Sequence, residues 1–344
     1  MEKESVAFSG MKNDPFRKLY EKMNGSGLLR RGERFLIACS GGPDSVALVH
    51  LVKNNPDSDC RGSGIIYFDH QLRRASKKDV VFVRNLARRL GFAFYSGRGN
   101  VKGEARRTKT SIEEAARKMR YDFFKNAAKR FKIRKIALAH TLDDQAETVL
   151  MRILQGTGLR GLAGIRQSVV MDGVTFVRPL LETTKKELLE FLRAGKIPYR
   201  TDRSNRSEKF LRNRIRLKLL PMLRREFNPR ISESLARLPR IAAEETSLLD
   251  LLESKAWRDA VGRAGPGGVE FNRSVFLELP APLQFRVLGK ALKKIHSSSG
   301  LSYEAWQRLR KGFSRRRNRW SLPKDIDLAL TPKTIRLYKK HRPG

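Results

Sequence analysis

Short apolar runs and longer amphipathic stretches alternate along the first part of the chain. RFLIACS (34–40), GIIYFD (64–69), FAFYS (92–96) and RKIALAH (134–140) have the length and composition of buried strands. Between them, apolar residues recur with helical spacing over about 44–54, 76–90 and 111–130. Strands alternating with helices build βαβ units, so the pattern predicts an α/β fold with a doubly wound, mainly parallel sheet. GVTFVRPLL (173–181) reads as a further strand, and TTKKELLEFLRAG as a helix stopped by Gly195.

The pattern changes near residue 203. Between Arg203 and Arg240 there are twelve Lys or Arg and three Glu, on a helical periodicity that Pro221, Pro229 and Pro239 are expected to interrupt. Beyond GRAGPGG (262–268) the pattern is mixed: a strand-like VEFNRSVF, a helix, then RRRNRWSLPKDIDLALTPKTIRLYKK, which alternates like short strands. The expected organisation is an α/β domain over 1–205, a basic helical linker region over 206–260, and a smaller α+β domain over 261–344.

The first strand runs into the turn of IACSGGPDSVAL, and a helix follows. Backbone N–H groups at a helix start point outward and the helix dipole favours negative charge, so a strand, a glycine-bearing turn and a helix can hold an anion. Ser40 and Ser45 add hydroxyls, Gly41 and Gly42 allow close backbone approach, and Pro43 opens the helix. No GxxxxGK[ST] occurs, and the turn lacks the lysine of that motif. It carries Asp44 instead, a carboxylate able to hold Mg²⁺ against a pyrophosphate. The plainer alternative is that Asp44 and Ser45 only cap the helix. GTGLRG (156–161) matches GxGxxG but follows a helix rather than a strand, so it reads as a glycine loop beside the site.

ALAHTLDDQAETVLMRILQGTGLRGLAGI (137–165) is the second constellation. His140 ends the fourth strand, Thr141 is placed to cap the next helix, and Asp144 stands where a capping-box acid would sit. Leu142, Ala146, Val149, Leu150 and Ile153 form an apolar stripe; Asp143, Asp144 and Glu147 lie off it. Ligands bind beyond the C-terminal strand ends of a parallel sheet, so His140 and these acids are expected to face the same crevice as the Ser40–Ser45 turn. Acids in a first helical turn also suit the helix dipole, which accounts for one of them.

Composition narrows the partners. Lys and Arg number 73 against 35 Asp and Glu, a formal net charge of +38, so a polyanion is the first partner to consider. No apolar stretch approaches the ~20 residues of a spanning helix. Two cysteines, Cys39 and Cys60, make no disulfide framework and no CxxC site. The start, MEKESVAFSGMKNDPF, lacks the apolar core of a secretory signal, and five histidines show no zinc motif; a cytoplasmic protein is expected.

SGGPDS matches the SGGxDS signature of the PP-loop ATP pyrophosphatases. Within that group, HTLDDQAET followed by a glycine-rich loop resembles the tRNA(Ile)-lysidine synthetase family. FDHQLRRAS (68–76), SIEEAARKMRYDFF (111–124), VRPLL (177–181), DRSN (202–205) and FLRNRIRLKLLP (210–221) match that family in order, over about residues 30–225. The sequence departs from the family at Thr141, usually a second histidine, and at Gln71, usually glycine.

The resemblance implies that ATP adenylates the C2 oxygen of the wobble cytidine in the CAU anticodon of an isoleucine tRNA. Free L-lysine then displaces AMP through its ε-amine. It implies ATP and Mg²⁺ at Ser40, Gly41, Gly42, Pro43, Asp44 and Ser45, with Asp44 on the metal. Asp144 and Glu147 would attract the lysine amine, with His140 as a general base or phosphate contact. Arg117 and Arg120 are candidates for the α-phosphate or the lysine carboxylate, the resemblance favouring Arg120; Arg212 is a further phosphate or substrate contact. The basic 203–240 stretch and RRRNR (315–319) would track the tRNA backbone. The alternatives are another PP-loop tRNA-modifying adenylating enzyme and a non-catalytic, basic RNA-binding protein.

Overall fold

The computed structural model describes residues 16–55, 60–71, 76–201, 208, 210–265, 267–296, 300–313 and 318–340. The LRRA part of FDHQLRRAS (72–75), DRSN (202–205) and Arg315–Arg317 lie outside the described residues. The chain divides near Ala242 into two compact units.

The first unit holds a sheet of β1 (Leu36–Ala38), β2 (Gly64–Asp69), β3 (Ala93–Arg98), β4 (Lys135–Ala137), β5 (Ser168–Met171) and β6 (Val174–Val177), in the order β3-β2-β1-β4-β6-β5. All neighbours are parallel except the β5–β6 hairpin at one edge. The doubly wound, mainly parallel α/β architecture is therefore present. β1 and β4 span three residues each, fewer than their apolar runs, yet the pairing continues past them: Cys39 N donates to Ile66 O (3.0 Å) and Leu138 N to Val177 O (2.8 Å).

Period-two alternation sends the strand side chains to opposite faces. Ile37, Cys39, Ile65 and Tyr67 pack with the helices Pro43–Asn54, Ser76–Leu90 and Lys185–Ala194. Leu36, Ile66, Ile136, Leu138 and Phe176 pack with Tyr121, Phe124, Ala127 and Ala128 of the helix Ile112–Phe131. The chain winds outward from β1 through β2 to β3, then returns to β4 on the other side of β1. The switch point, where the strand order reverses and a crevice opens, lies between β1 and β4.

Several expectations are corrected. The hairpin turn is Asp172–Gly173, both at positive φ (51° and 78°), so Gly173 closes a two-residue turn and β5 precedes it. A helix not anticipated, Val101–Thr108, is capped by the Asn100 side chain. Pro239 does not break its segment; it lies inside the helix Ile231–Ala260. Pro221 sits in the first turn of Leu220–Glu226, directly after a π-helical turn over Ile215–Leu219, in which Leu220 N bonds Ile215 O. A proline has no N–H to return to the preceding turn, which accounts for the wider hydrogen-bond ring just before it. Ile153, assigned to the apolar stripe, is exposed at the end of its helix.

The second unit is α+β. β7 (Val261–Gly265), β8 (Gly268–Asn272), β9 (Arg319–Leu322), β10 (Ile326–Leu330) and β11 (Thr334–Lys339) form an antiparallel sheet in the order β7-β8-β11-β10-β9. Phe271, Ile326, Leu328, Ile335 and Leu337 pack against Val287, Leu288 and Leu292 of the helix Ala281–Ile295 and Trp306 and Leu309 of Tyr303–Phe313.

Phe176, wholly buried on β6 with its ring 4.9 Å from that of Tyr121, tests the packing of the first unit. Phe176→Ala is expected to cost about 3–5 kcal/mol, read as a lower urea midpoint for unfolding of the parallel sheet. A loss under about 1 kcal/mol would contradict the packing described.

Candidate functional site

The turn after β1 is held together from inside. Ser45 Oγ accepts from Ser40 N (3.1 Å), donates to Gly42 O (3.0 Å) and lies 3.2 Å from Ser40 Oγ. Ser45 is buried, so its hydroxyl shapes the loop, while Ser40 is the exposed one of the two. Gly41 has φ 83°, a left-handed conformation that disfavours any side chain, and its carbonyl accepts from Arg200 N (2.8 Å). The helix Pro43–Asn54 begins with no side-chain cap, whereas Leu142–Leu154 and Lys185–Ala194 both begin with complete capping boxes. An uncapped helix start behind a glycine turn presents N–H groups to a ligand.

Asp44 is half-buried on the first turn of that helix. Burial raises its pKa to about 6; Lys185 opposes the rise, and Asp144 adds to it. A carboxylate made uncomfortable in this way is a good hard-oxygen donor for a cation. No group of three or more His, Cys, Asp or Glu among the described residues could cage a metal by itself. One protein carboxylate plus phosphate oxygens is the set Mg²⁺ takes, so Asp44 fits it.

Beyond β4, Thr141 and Asp144 form a capping box: Asp144 Oδ2 accepts from Thr141 N and Oγ1 (3.0 Å each), and Thr141 Oγ1 accepts from Asp144 N (3.3 Å). The other oxygen of Asp144, Oδ1, faces Lys185 Nζ (3.2 Å), Arg212 Nη2 (3.3 Å) and Arg216 Nη2 (3.4 Å). Glu147, only 1% exposed, accepts from Arg216 through Nε (2.6 Å) and Nη2 (2.8 Å) and from Arg212 Nε (3.0 Å), with Lys185 Nζ at 3.5 Å. Burial works to raise the pKa of Asp144, but Lys185 and Arg212, with the Thr141 N–H, hold it far below the usual carboxylate range. Asp143 has a different task. It accepts from Lys185 N (2.7 Å) and Arg224 Nη2 (2.7 Å), pinning two neighbouring segments.

His140 lies at the end of the same strand with Nδ1 buried and without a partner. Burial, reinforced by Arg178, Arg120 and Arg212 and opposed by Asp144, lowers its pKa to about 3. The imidazole is therefore neutral in this site, with its buried Nδ1 placed for a hydrogen bond. Arg120 Nε is likewise buried without a partner, and burial, Arg117 and Arg212 lower its pKa. Arg117 is exposed, its guanidinium 4.9 Å from the Tyr121 ring centre. The geometry thus separates the two arginines, Arg120 inward and Arg117 outward.

Three further residues belong to the site, and sequence reasoning did not single them out. His70 follows β2, beside the switch point; its Nδ1 is buried without a partner, and burial and Arg120 lower its pKa to about 4. The strand-end argument used for His140 applies to it equally. Lys185 and Arg216 complete the cation set around Asp144 and Glu147. Arg216 stands one turn after Arg212 in FLRNRIRLKLLP, but the exposed Arg214 and Lys218 of the same run show that basic residues here do not mark by type which of them face inward.

A mainly parallel sheet with a glycine-bearing turn and an uncapped helix start at its switch point has the frame of the nucleotide-binding α/β proteins. Residues 12–223 match the PP-loop domain, and the chain belongs to that family. It is 33% identical over 281 residues to a protein named tRNA(Ile)-lysidine synthase from Clostridioides difficile, covering 81% of this chain and 60% of that one. A tRNA(Ile)-lysidine synthase of Geobacter sulfurreducens is 37% identical over 268 residues, 77% of this chain and 56% of that one. The chain therefore spans less than two thirds of the length of these curated relatives. Among solved structures, the U34-tRNA thiolase NcsA of Methanococcus maripaludis shares the fold, with a TM-score of 0.56 and 16% identity over 66% of this chain and 78% of that one.

Asp44 gives a stability test. Its folded pKa stands above its unfolded value, so its contribution is full below about pH 4 and is lost as the pH rises to about 6. Without divalent cation, Asp44→Asn should melt with wild type near pH 4 and be more stable by about 1–3 kcal/mol at pH 7.5. Equal melting temperatures at both pH values would show that Asp44 is not strained.

Proposed function

We propose that the protein is an ATP-dependent ligase that joins free L-lysine to C2 of the wobble cytidine in the CAU anticodon of an isoleucine tRNA, through an adenylated base. One observation carries the reading: the anion-binding turn after β1 and the acid pair after β4 stand at adjacent strand ends of one crevice. The names of the relatives agree with it. A cytoplasmic location goes with a tRNA substrate, and no helix among the described residues is long and apolar enough to cross a membrane.

On this reading the N–H groups of Gly41, Gly42, Asp44 and Ser45 hold the pyrophosphate of ATP, and Asp44 holds Mg²⁺, which supplies charge neutralisation when bound. Arg120, with its unpartnered Nε, contacts the α-phosphate. His140 and His70 are neutral hydrogen-bonding groups for the base or ribose. Asp144 and Glu147 receive the amine of lysine and orient it, with Arg212 steadying both acids. An anticodon loop is single-stranded, so its base can be turned out at modest cost.

The basic stretch has two faces, which sharpens its expected role. Arg212, Arg216 and Arg224 turn inward to the acids, while Arg214, Arg225, Arg230, Arg237 and Arg240 are exposed. The exposed set is the one that would track tRNA phosphates.

Incubation with tRNA, ATP and radiolabelled lysine tests the activity: label should enter tRNA only with ATP present. Asp44→Ala should reduce AMP transfer by at least a hundredfold, about 3 kcal/mol of barrier, while tRNA binding is retained; normal adenylation would remove the turn from the mechanism.

Removing Arg214, Arg230 and Arg237 should weaken tRNA binding. It should also lower the log–log salt slope by about one unit for each phosphate that the protein no longer neutralises. An unchanged slope would make them a solvated face.

A further inference from the structure

The acid pair that is proposed to receive an amine already holds one, and it belongs to the chain. Three carboxylates are ion-paired here, Asp143, Asp144 and Glu147, with Asp44 within electrostatic reach of them, and four cations accompany them, Lys185, Arg212, Arg216 and Arg224. The cluster is formally neutral, so an incoming ammonium finds no uncompensated charge unless a resident cation withdraws.

The residents are not held equally. Arg216 grips Glu147 through two nitrogens, at 2.6 and 2.8 Å, and Arg212 bridges both acids from Nε and Nη2. Lys185 touches each acid once, at 3.2 and 3.5 Å, with a single point charge on a flexible stem. Its backbone is fixed: its N–H bonds Asp143 at 2.7 Å, and the helix it opens is capped by Thr184 and Glu187. Its side chain lines a cavity of about 650 Å³, shared with Asp143, Glu147, Arg193, Arg216 and Arg224, which gives the stem somewhere to go. Burial works against its charge, and Asp144 and Glu147 outweigh burial and raise its pKa, so the resident is an ammonium.

We propose that Lys185 is an internal counter-ion, displaced by the substrate's primary ammonium, and that it is a specificity-determining residue of the site. It keeps Asp144 and Glu147 spaced for an ammonium while no substrate is bound. It also sets the lysine concentration needed to occupy them. This rests on the reading that the pair receives an amine, and it identifies the residue with which that amine competes.

The test uses the full chain without tRNA. Binding of L-lysine and of n-butylammonium is measured by calorimetry for wild type, Lys185→Met, Lys185→Gln and Lys185→Arg, alongside the lysine KM in the tRNA reaction. Removing one half-buried competing charge should tighten binding of both ligands by about fivefold in Lys185→Met. The lysine KM should fall in step. Lys185→Gln should move the same way, and Lys185→Arg, which keeps the charge, should bind no more tightly than wild type. A purely structural strut would not separate the neutral from the charged variants. Unchanged or weaker binding in Lys185→Met, melting like wild type, overturns the proposal; if that variant does not fold, Lys185→Gln decides. Tighter ammonium binding in the neutral variants with no lysine transferred to tRNA by any form supports the counter-ion and removes the proposed reaction. Lysine transfer by wild type with no tightening removes the counter-ion alone.

Discussion

Asp144 and Glu147 sit one helical turn apart in the interior, and burying two carboxylates side by side is costly unless cations close over them. That requirement organises the site. Lys185 comes from the start of one helix, while in another segment Arg212 stands just before a π-helical turn and Arg216 within it. Beneath the charges, Ala146, Val149 and Leu150 pack on Ile215, Leu220 and Leu235, so apolar burial brings the segments together and the ion pairs fix their register. A buried ion network of this kind is weak evidence for stability, because the desolvation of each charge offsets much of the attraction. Its value here is position: it sets two carboxylates and their cations at the mouth of the switch-point crevice.

The Ser40–Ser45 turn follows the opposite logic. Its helix start lacks the side-chain cap that Thr141 and Thr184 give theirs, and Ser45 commits its hydroxyl to the loop's own backbone. The loop thereby holds its shape through its own hydrogen bonds rather than through a helix cap. At Gly41 the positive φ selects glycine; the space beside it, with the Phe82 and Val83 side chains 3.4 Å from where a Cβ would lie, is ordinary contact.

Local pattern makes much of this legible. The β2 run ends where the strand ends, and the helix over 76–90 has the limits its spacing predicts. Asp172–Gly173 is readable as a hairpin turn, because aspartate–glycine between apolar runs supplies the two positive φ angles such a turn requires. Pro239 misleads, since the helix Ile231–Ala260 runs through it with the proline buried on the one face that also carries Leu235 and Ala242. Lys185 and Arg216 are not legible for a different reason. In a chain with 73 Lys and Arg, nothing local separates a cation facing water from one facing a carboxylate 41 or 69 residues away. The acids are conspicuous because acids are scarce here, whereas their partners are hidden among many like them.

Scarcity of acids also gives the crevice two polarities. On the side of His70, His140 and Arg120, burial and neighbouring arginines keep both imidazoles neutral, and buried nitrogens stand without partners. That side suits an anion or a carbonyl oxygen gaining negative character. On the side of Asp144 and Glu147, every acidic oxygen is paired with a cation or an N–H or O–H donor, and the loosest of those cations is an alkylammonium. A reaction that brings a phosphate-activated oxygen to a primary amine needs both environments within a few bond lengths, yet kept apart so that they do not neutralise each other. Arg212 acts on both, bonding the two acids while its charge depresses His140 and Arg120.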